Sequence, residues 1–306
     1  MNKYILCPFW NSLKILVEIK TRIGTTDHLC KAREGSSFQR KLIRELRSFK
    51  PISNSNIFSS DTFIGKKGDE TKRDVFVSMH DLEPIELFEE ENGAQRYSAV
   101  AITKINAPWH KIHDAKEASY TSKEEGYTIV GFCLKNVTLI KYKDTEGYST
   151  AQIISRINLG EELRIEISDL SAYENSSHLK NISSGHYDHL MNLCRKDAKV
   201  MESGILYAPE VNLPHEVKNH LTGMRFVGDT PGKIYTSSEK TLFKMDKNGI
   251  IVKAETRASI KHSSGDGNID QPTLYIDNGF VIEIYHENQL LFIGYAPKEH
   301  FRKRRS

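Results

Sequence analysis

Cysteine is scarce: Cys7, Cys30, Cys133 and Cys194 are the four in 306 residues, and none stands in a C-x-x-C pair. That spacing argues against a cystine framework or an all-cysteine zinc site and fits a reducing compartment. No charge of one sign prevails either. Lys and Arg number 43 against 40 Asp and Glu, a net +3, well short of the basic excess of a dedicated nucleic-acid binder. Long apolar runs are missing as well. In MNKYILCPFWNSLKILVEIK the apolar residues are broken by Pro8, Asn11, Ser12 and Lys14, and no small-residue cleavage site follows. Neither an export signal nor a transmembrane segment is expected, so the expected location is cytoplasmic, with non-classical secretion left open. G-x-S-x-G, a glycine-rich phosphate loop and a dinucleotide-binding glycine fingerprint are all absent, which disfavours nucleotide hydrolysis and Rossmann-type redox chemistry.

What is present is an ordinary globular composition, 38% hydrophobic and 27% charged, in a chain long enough to bury a core. The pattern predicts an α+β fold: a short N-terminal appendage, an antiparallel β-rich middle, and a helix-then-β-hairpin C-terminal part. Residues 1–50 form the appendage, with a β-like run at Lys14–Thr21 and then a helix. Ser36 or Ser37 caps that helix, Phe38, Leu42, Ile43, Leu46 and Phe49 recur at helical spacing, and Pro51 stops it. Residues 51–73 read as a linker or surface loop. Residues 74–170 hold strand-like runs at Asp74–His80, Gln95–Ile105, Tyr127–Leu134, Val137–Lys143, Ser149–Ile157 and Glu162–Ile167, separated by turn signals such as Lys135-Asn136. Residues 171–298 open with an amphipathic helix at Gly185–Glu202 and a second helix started by Pro214. Hairpins follow at Lys247-Asn248-Gly249 and Asp277-Asn278-Gly279, because Asn-Gly tolerates positive φ. Residues 299–306 are a basic tail.

Several fragments carry partial chemistry. His215 and His220 stand five apart, about 140° around a helix, so they do not share a metal as the zinc-protease motif requires. His110, His113 and Asp114 follow a strand and are the better metal candidates. His186 and His189 form a second pair. Asp266, Asn268 and Asp270 space oxygen ligands like the start of a calcium loop, without its glycine or closing glutamate. Glu18 and Lys20 in a β-like run resemble half of a metal-dependent nuclease site. Basic residues gather on the helix face Arg40, Lys41, Arg44, Arg47 and in the tail Arg302, Lys303, Arg304, Arg305. Both are candidate contact surfaces for phosphates, an anionic surface or an acidic partner.

From Glu162 to Pro297 the order of elements resembles that of the mono-ADP-ribosyltransferases. Arg164 lies on an early strand, Tyr235-Thr236-Ser237-Ser238 ends a later one, and Glu283 and Glu287 follow. The resemblance implies NAD as cofactor, with Arg164 and Ser237 positioning it and Glu283 stabilising the reacting ribose. Gln289 stands where the family's catalytic carboxylate is expected.

With every catalytic signature incomplete, the leading expectation is a soluble intracellular interaction or effector-type protein that engages another macromolecule. A mono-ADP-ribosyltransferase-like enzyme and a metal-dependent nuclease are the alternatives. No cofactor is named by the leading reading, and the partner's identity and the oligomeric state are not legible.

Overall fold

The computed structural model describes residues 4–22, 37–90, 96–122, 126–143, 147–156, 162–170, 198–218, 221, 224–226, 232–234, 237–252 and 271–304. Its elements run in chain order: β1 (Ile5–Cys7), α1 (Phe9–Arg22), α2 (Ser37–Arg47), β2 (Phe58–Gly65), α3 (Glu70–His80), β3 (Ser98–Pro108), β4 (Lys116–Thr121), β5 (Thr128–Tyr142), β6 (Thr150–Arg156) and β7 (Glu162–Asp169). Then come β8 (Ala198–Pro209), β9 (Val211–Lys218), β10 (Arg225–Phe226), β11 (Gly232–Lys233), β12 (Ser238–Asp246), β13 (Gly249–Val252), β14 (Thr273–Tyr275), β15 (Gly279–His286), β16 (Gln289–Pro297) and β17 (Lys303–Arg304).

Most strands fall into two sheets. The ten-stranded sheet follows β1-β16-β15-β7-β6-β5-β8-β14, with β4 and β17 also pairing with β5. The five-stranded sheet follows β2-β3-β13-β12-β9. Helix α1 packs against β2, β3 and β16, so it bridges both sheets. Its buried Phe9, Trp10, Leu13, Leu16 and Ile19 recur every three or four residues, and α2 adds Phe38, Leu42 and Leu46 to the same core. On the far side of the five-stranded sheet a smaller core gathers Phe63, Ile102 and Phe76 of α3, covered in part by Leu82, Ile85 and Leu87.

The α+β expectation is corrected: the described chain is mostly β-sheet. The N-terminal segment is no appendage, because β1 pairs antiparallel with β16 from the other end of the chain, Ile5 opposite Tyr295. The run Lys14–Thr21 is helix, since its apolar stripe is buried at helical spacing and that burial outweighs the β-propensity of Ile15, Val17 and Ile19. Asp74–His80 is likewise helix, within α3. The stretch 51–73 carries β2. Tyr127–Leu134 and Val137–Lys143 are one strand, β5, whose Lys135-Asn136 makes a bulge, with Asn136 at φ 54°, where a turn was expected. Pro214 lies in β9 and starts no helix. The helix expected at Gly185–Glu202 falls mostly outside the described residues, and its end, from Ala198, is strand β8. Asp277-Asn278-Gly279 closes no hairpin, because β14 pairs in parallel with β8, Leu274 opposite Leu206.

Candidate functional site

The hairpin at Lys247-Asn248-Gly249 forms as its turn chemistry predicts, with Asp246 opposite Gly249. Asp246 organises it. Its Oδ1 accepts the backbone N–H of Asn248 at 2.7 Å, and its Oδ2 lies 2.9 Å from Lys244 Nζ. The indole Nε1 of Trp109 donates to the Asp246 carbonyl at 2.8 Å, and Lys247 is ion-paired with Glu117 of β4. Gly249 sits at φ 142° with the Ala107 carbonyl oxygen 2.3 Å from where a Cβ would stand, so only glycine fits.

What the hairpin delivers is β13, described over Gly249–Val252 and seated between β3 and β12. Val252 lies opposite Ile105 on one side and Phe243 on the other. Val252 is the last described residue of β13, and both flanking strands are described further along the sheet. Ser98–Lys104 of β3 pairs on its outer edge with β2, and Ser238–Leu242 of β12 pairs on its outer edge with β9. Among the described residues, no strand pairs with the edges that these two segments turn toward each other. An unpaired strand edge is a template for another strand.

The core-facing side of this opening carries buried polar groups next to Val252. Thr103 is 4% exposed and Thr241 is 6% exposed. Thr103 donates to Asn11 of α1, its neighbour Ser60 of β2 accepts from Trp10 Nε1 at 3.0 Å, and Thr241 donates to Glu239 Oε1 at 3.3 Å. His215 of β9 is the cross-strand partner of Thr241. Burial holds its imidazole below the ordinary histidine pKa, against an opposing hydrogen bond to the Leu6 backbone. Beside Ala99, which packs against the main core, this lining therefore carries hydroxyls and a carboxylate, with an imidazole one strand further on.

The residues singled out in the sequence lie elsewhere. Arg164 and Glu283 do become neighbours, on the paired strands β7 and β15, with Arg164 opposite Tyr285 and Glu283 opposite Glu166. Arg164 lies 3.2 Å from Glu166 and stacks its guanidinium 4.5 Å over the Tyr285 ring, while Tyr285 donates to Glu283 at 2.7 Å. Ser237 precedes β12 in the other sheet and accepts the Leu221 N–H at 2.8 Å. Glu18 and Lys20 stand on helix α1, with Glu18 paired to Arg22 at 2.8 Å, so the strand on which the nuclease reading rested does not exist.

His113 is buried with Nδ1 3.1 Å from the Lys135 carbonyl, His110 Nδ1 accepts from the Ile112 amide, and Asp114 pairs with Lys116 at 3.3 Å. Among the described residues no three His, Cys, Asp or Glu side chains are grouped to hold a metal. His186, His189 and the segment Asp266–Asp270 lie outside the described residues. Arg40, Lys41, Arg44 and Arg47 share α2. In the tail, Arg302 is 3.4 Å from Glu210 and Lys303 lies over the Tyr127 ring, and β17 pairs with β5, so this part is docked strand. Arg305 lies outside the described residues. No described helix is long and apolar enough to cross a membrane.

The architecture has a counterpart among solved structures, and it is serpin-like. The particular likeness is to a cleaved, loop-inserted ovalbumin mutant, at TM-score 0.52 and 11% identity over 96% of this chain and 93% of that one. An insect serpin from Tenebrio molitor covers 97% of this chain and 92% of its own at 11% identity and TM-score 0.49. Native tengpin, a thermophilic serpin, covers 97% and 88% at 13% identity and TM-score 0.47. No family model matches the sequence, and no curated protein matches it. The ovalbumin likeness shows the fold, and it corrects the interaction or effector-type, ADP-ribosyltransferase and nuclease readings drawn from motifs: what is found is a serpin-like fold. The motif search missed Trp109, Asp246 and Gly249 as a unit. The signal for it was the Asn-Gly turn, taken only as hairpin chemistry.

Proposed function

We propose that this chain works by strand insertion: the segment between β13 and β14 is offered to a protease, and after cleavage its first part extends β13 down the middle of the five-stranded sheet. Serpin reactive loops insert into a sheet in this way, releasing stored strain. The observation that supports the reading is that the described part of β13, Gly249–Val252, is seated between β3 and β12, and that no other described strand pairs the facing edges of these two neighbours.

The sequence beyond β13 supports it. Ile250 and Val252 face the core at 0% and 1% exposure. Ala254, Thr256, Ala258 and Ile260 share their parity, and Lys253, Glu255, Arg257 and Lys261 share the parity of the outward Ile251. Small or apolar residues thus alternate with residues that are charged except for Ser259, as a strand buried on one face requires. An insertion that kept the register of Val252 would bring Ala254 between Thr103 and Thr241.

The test is a panel of serine and cysteine proteases incubated with the full chain. The expected result is a covalent complex that survives denaturing electrophoresis, with cleavage mapped between Val252 and Thr273. For a chain cut there, an extended central strand forms several new hydrogen bonds, each contributing about 1 kcal/mol net. Melting should therefore rise by roughly 10 °C or more, at about 2–4 °C per kcal/mol for a domain of this size. Cleavage without complex and without stabilisation contradicts the proposal.

A further inference from the structure

We infer that Arg22, Asn54 and Asp61 close the outer edge of β2 to strand addition and so keep a second copy of this chain from pairing there, independently of the insertion reading. β2 ends one side of the five-stranded sheet, and among the described residues no strand pairs with its outer edge. The strand itself has the form of a hazardous edge. Its eight residues, FSSDTFIG, contain no lysine and no proline, and its register with β3 runs unbroken from Phe58 to Gly65. Short length, edge lysines, prolines and bulges are the usual protections, and β2 uses none of them.

Neighbouring groups supply the protection instead. The Ile57 carbonyl accepts the Asn106 N–H at 2.7 Å, so odd-numbered residues turn their backbone groups to β3 and even-numbered ones turn theirs outward. Those outward groups are engaged along the length of the strand. The Phe58 N–H donates to Ser55 Oγ at 3.1 Å, and the Phe58 carbonyl accepts from the Ser55 N–H at 2.6 Å. The Ser60 N–H donates to Asn54 Oδ1 at 2.8 Å, and the Thr62 N–H donates to Asp61 Oδ1 at 2.7 Å. The Ile64 carbonyl accepts from the guanidinium of Arg22, the last residue of α1, at 3.4 Å. Asp61 is steadied from its far side, where Oδ2 lies 2.9 Å from His80 Nε2 of α3. An arriving strand would displace these partners to reach groups that are already bonded, so it would exchange hydrogen bonds and gain little. The opposite outer strand is treated alike: Pro214 of β9 has no N–H, and its carbonyl accepts from Tyr4. The excluded occupant is a second copy, because two identical β2 edges are self-complementary about a two-fold axis.

The probe is the full chain itself, followed by sedimentation velocity over a dilution series. The triple variant Arg22→Gln, Asn54→Ala, Asp61→Ala is expected to dimerise reversibly at a concentration at least about tenfold below the parent's. Adding Thr62→Pro removes an outward N–H that β3 does not use, and should restore the parent's behaviour. His80→Gln breaks the same contact with α3 while leaving the Asp61 bond to Thr62 in place, and should sediment as the parent does. Asn54→Ala and Asp61→Ala alone, which introduce no proline, should fall between the parent and the triple variant. A triple variant as monomeric as the parent, association that Thr62→Pro does not reverse, or equal association of His80→Gln overturns the inference.

Discussion

Trp109 and Asp246 lie 137 residues apart, yet the indole N–H of one donates to the backbone carbonyl of the other at 2.8 Å. This bond fastens the β12–β13 turn to the end of β3, at the place where β13 enters the sheet. Trp109 is also stacked on Phe132 at 5.6 Å, which ties the same point to β5 of the larger sheet. Replacing Trp109 by Phe keeps an aromatic there and removes the donor. The loss should be about 1–3 kcal/mol, seen as a melting midpoint lower by several degrees. An unchanged midpoint would show that the turn is held by Asp246 and Gly249 alone.

Insertion makes a prediction about parity. Ala254→Glu would drive a carboxylate toward the core between Thr103 and Thr241, at a cost of several kcal/mol. The chain should still be cut, but without stabilisation and without a protease complex. Lys253→Glu, which the same register would turn outward after insertion, should leave both intact. Equal behaviour of the two variants would remove the register on which the reading rests.

His215 supplies a pH dependence. Burial depresses its pKa in the folded chain, and its Nδ1 is buried with no hydrogen-bond partner among the described residues, so a proton there gains no acceptor from them. Unfolded chains protonate first, at about pH 6.5. Stability is therefore full above that value and falls as the pH drops below it. His215→Gln should flatten the fall between neutral and mildly acidic pH in thermal melts. If parent and variant lose the same stability on acidification, other groups control it.

How much of this was legible follows from which contacts are local. The α2 stripe from Phe38 to Leu46 and the Asn248-Gly249 turn are written in neighbouring residues, and both form. Ile5 against Tyr295 and Val252 between Ile105 and Phe243 are partnerships across long stretches of chain, and no spacing rule announces them. Apolar runs misled in both directions: Lys14–Thr21 is rich in β-branched residues yet buries a helical stripe, while Pro214 starts no helix because β12 pairs along the whole of β9. The candidate site was illegible for a related reason. It is a set of strand pairings, β13 between β3 and β12, and no local group of ligands marks it.

Amide hydrogen exchange before and after a single cut between Val252 and Thr273 tests the strand-insertion account most directly. The amides of Ser98–Lys104 and Ser238–Leu242 that face the opening should exchange readily in the intact chain and become strongly protected once the cut segment pairs between them. Protection unchanged by cleavage would contradict the account.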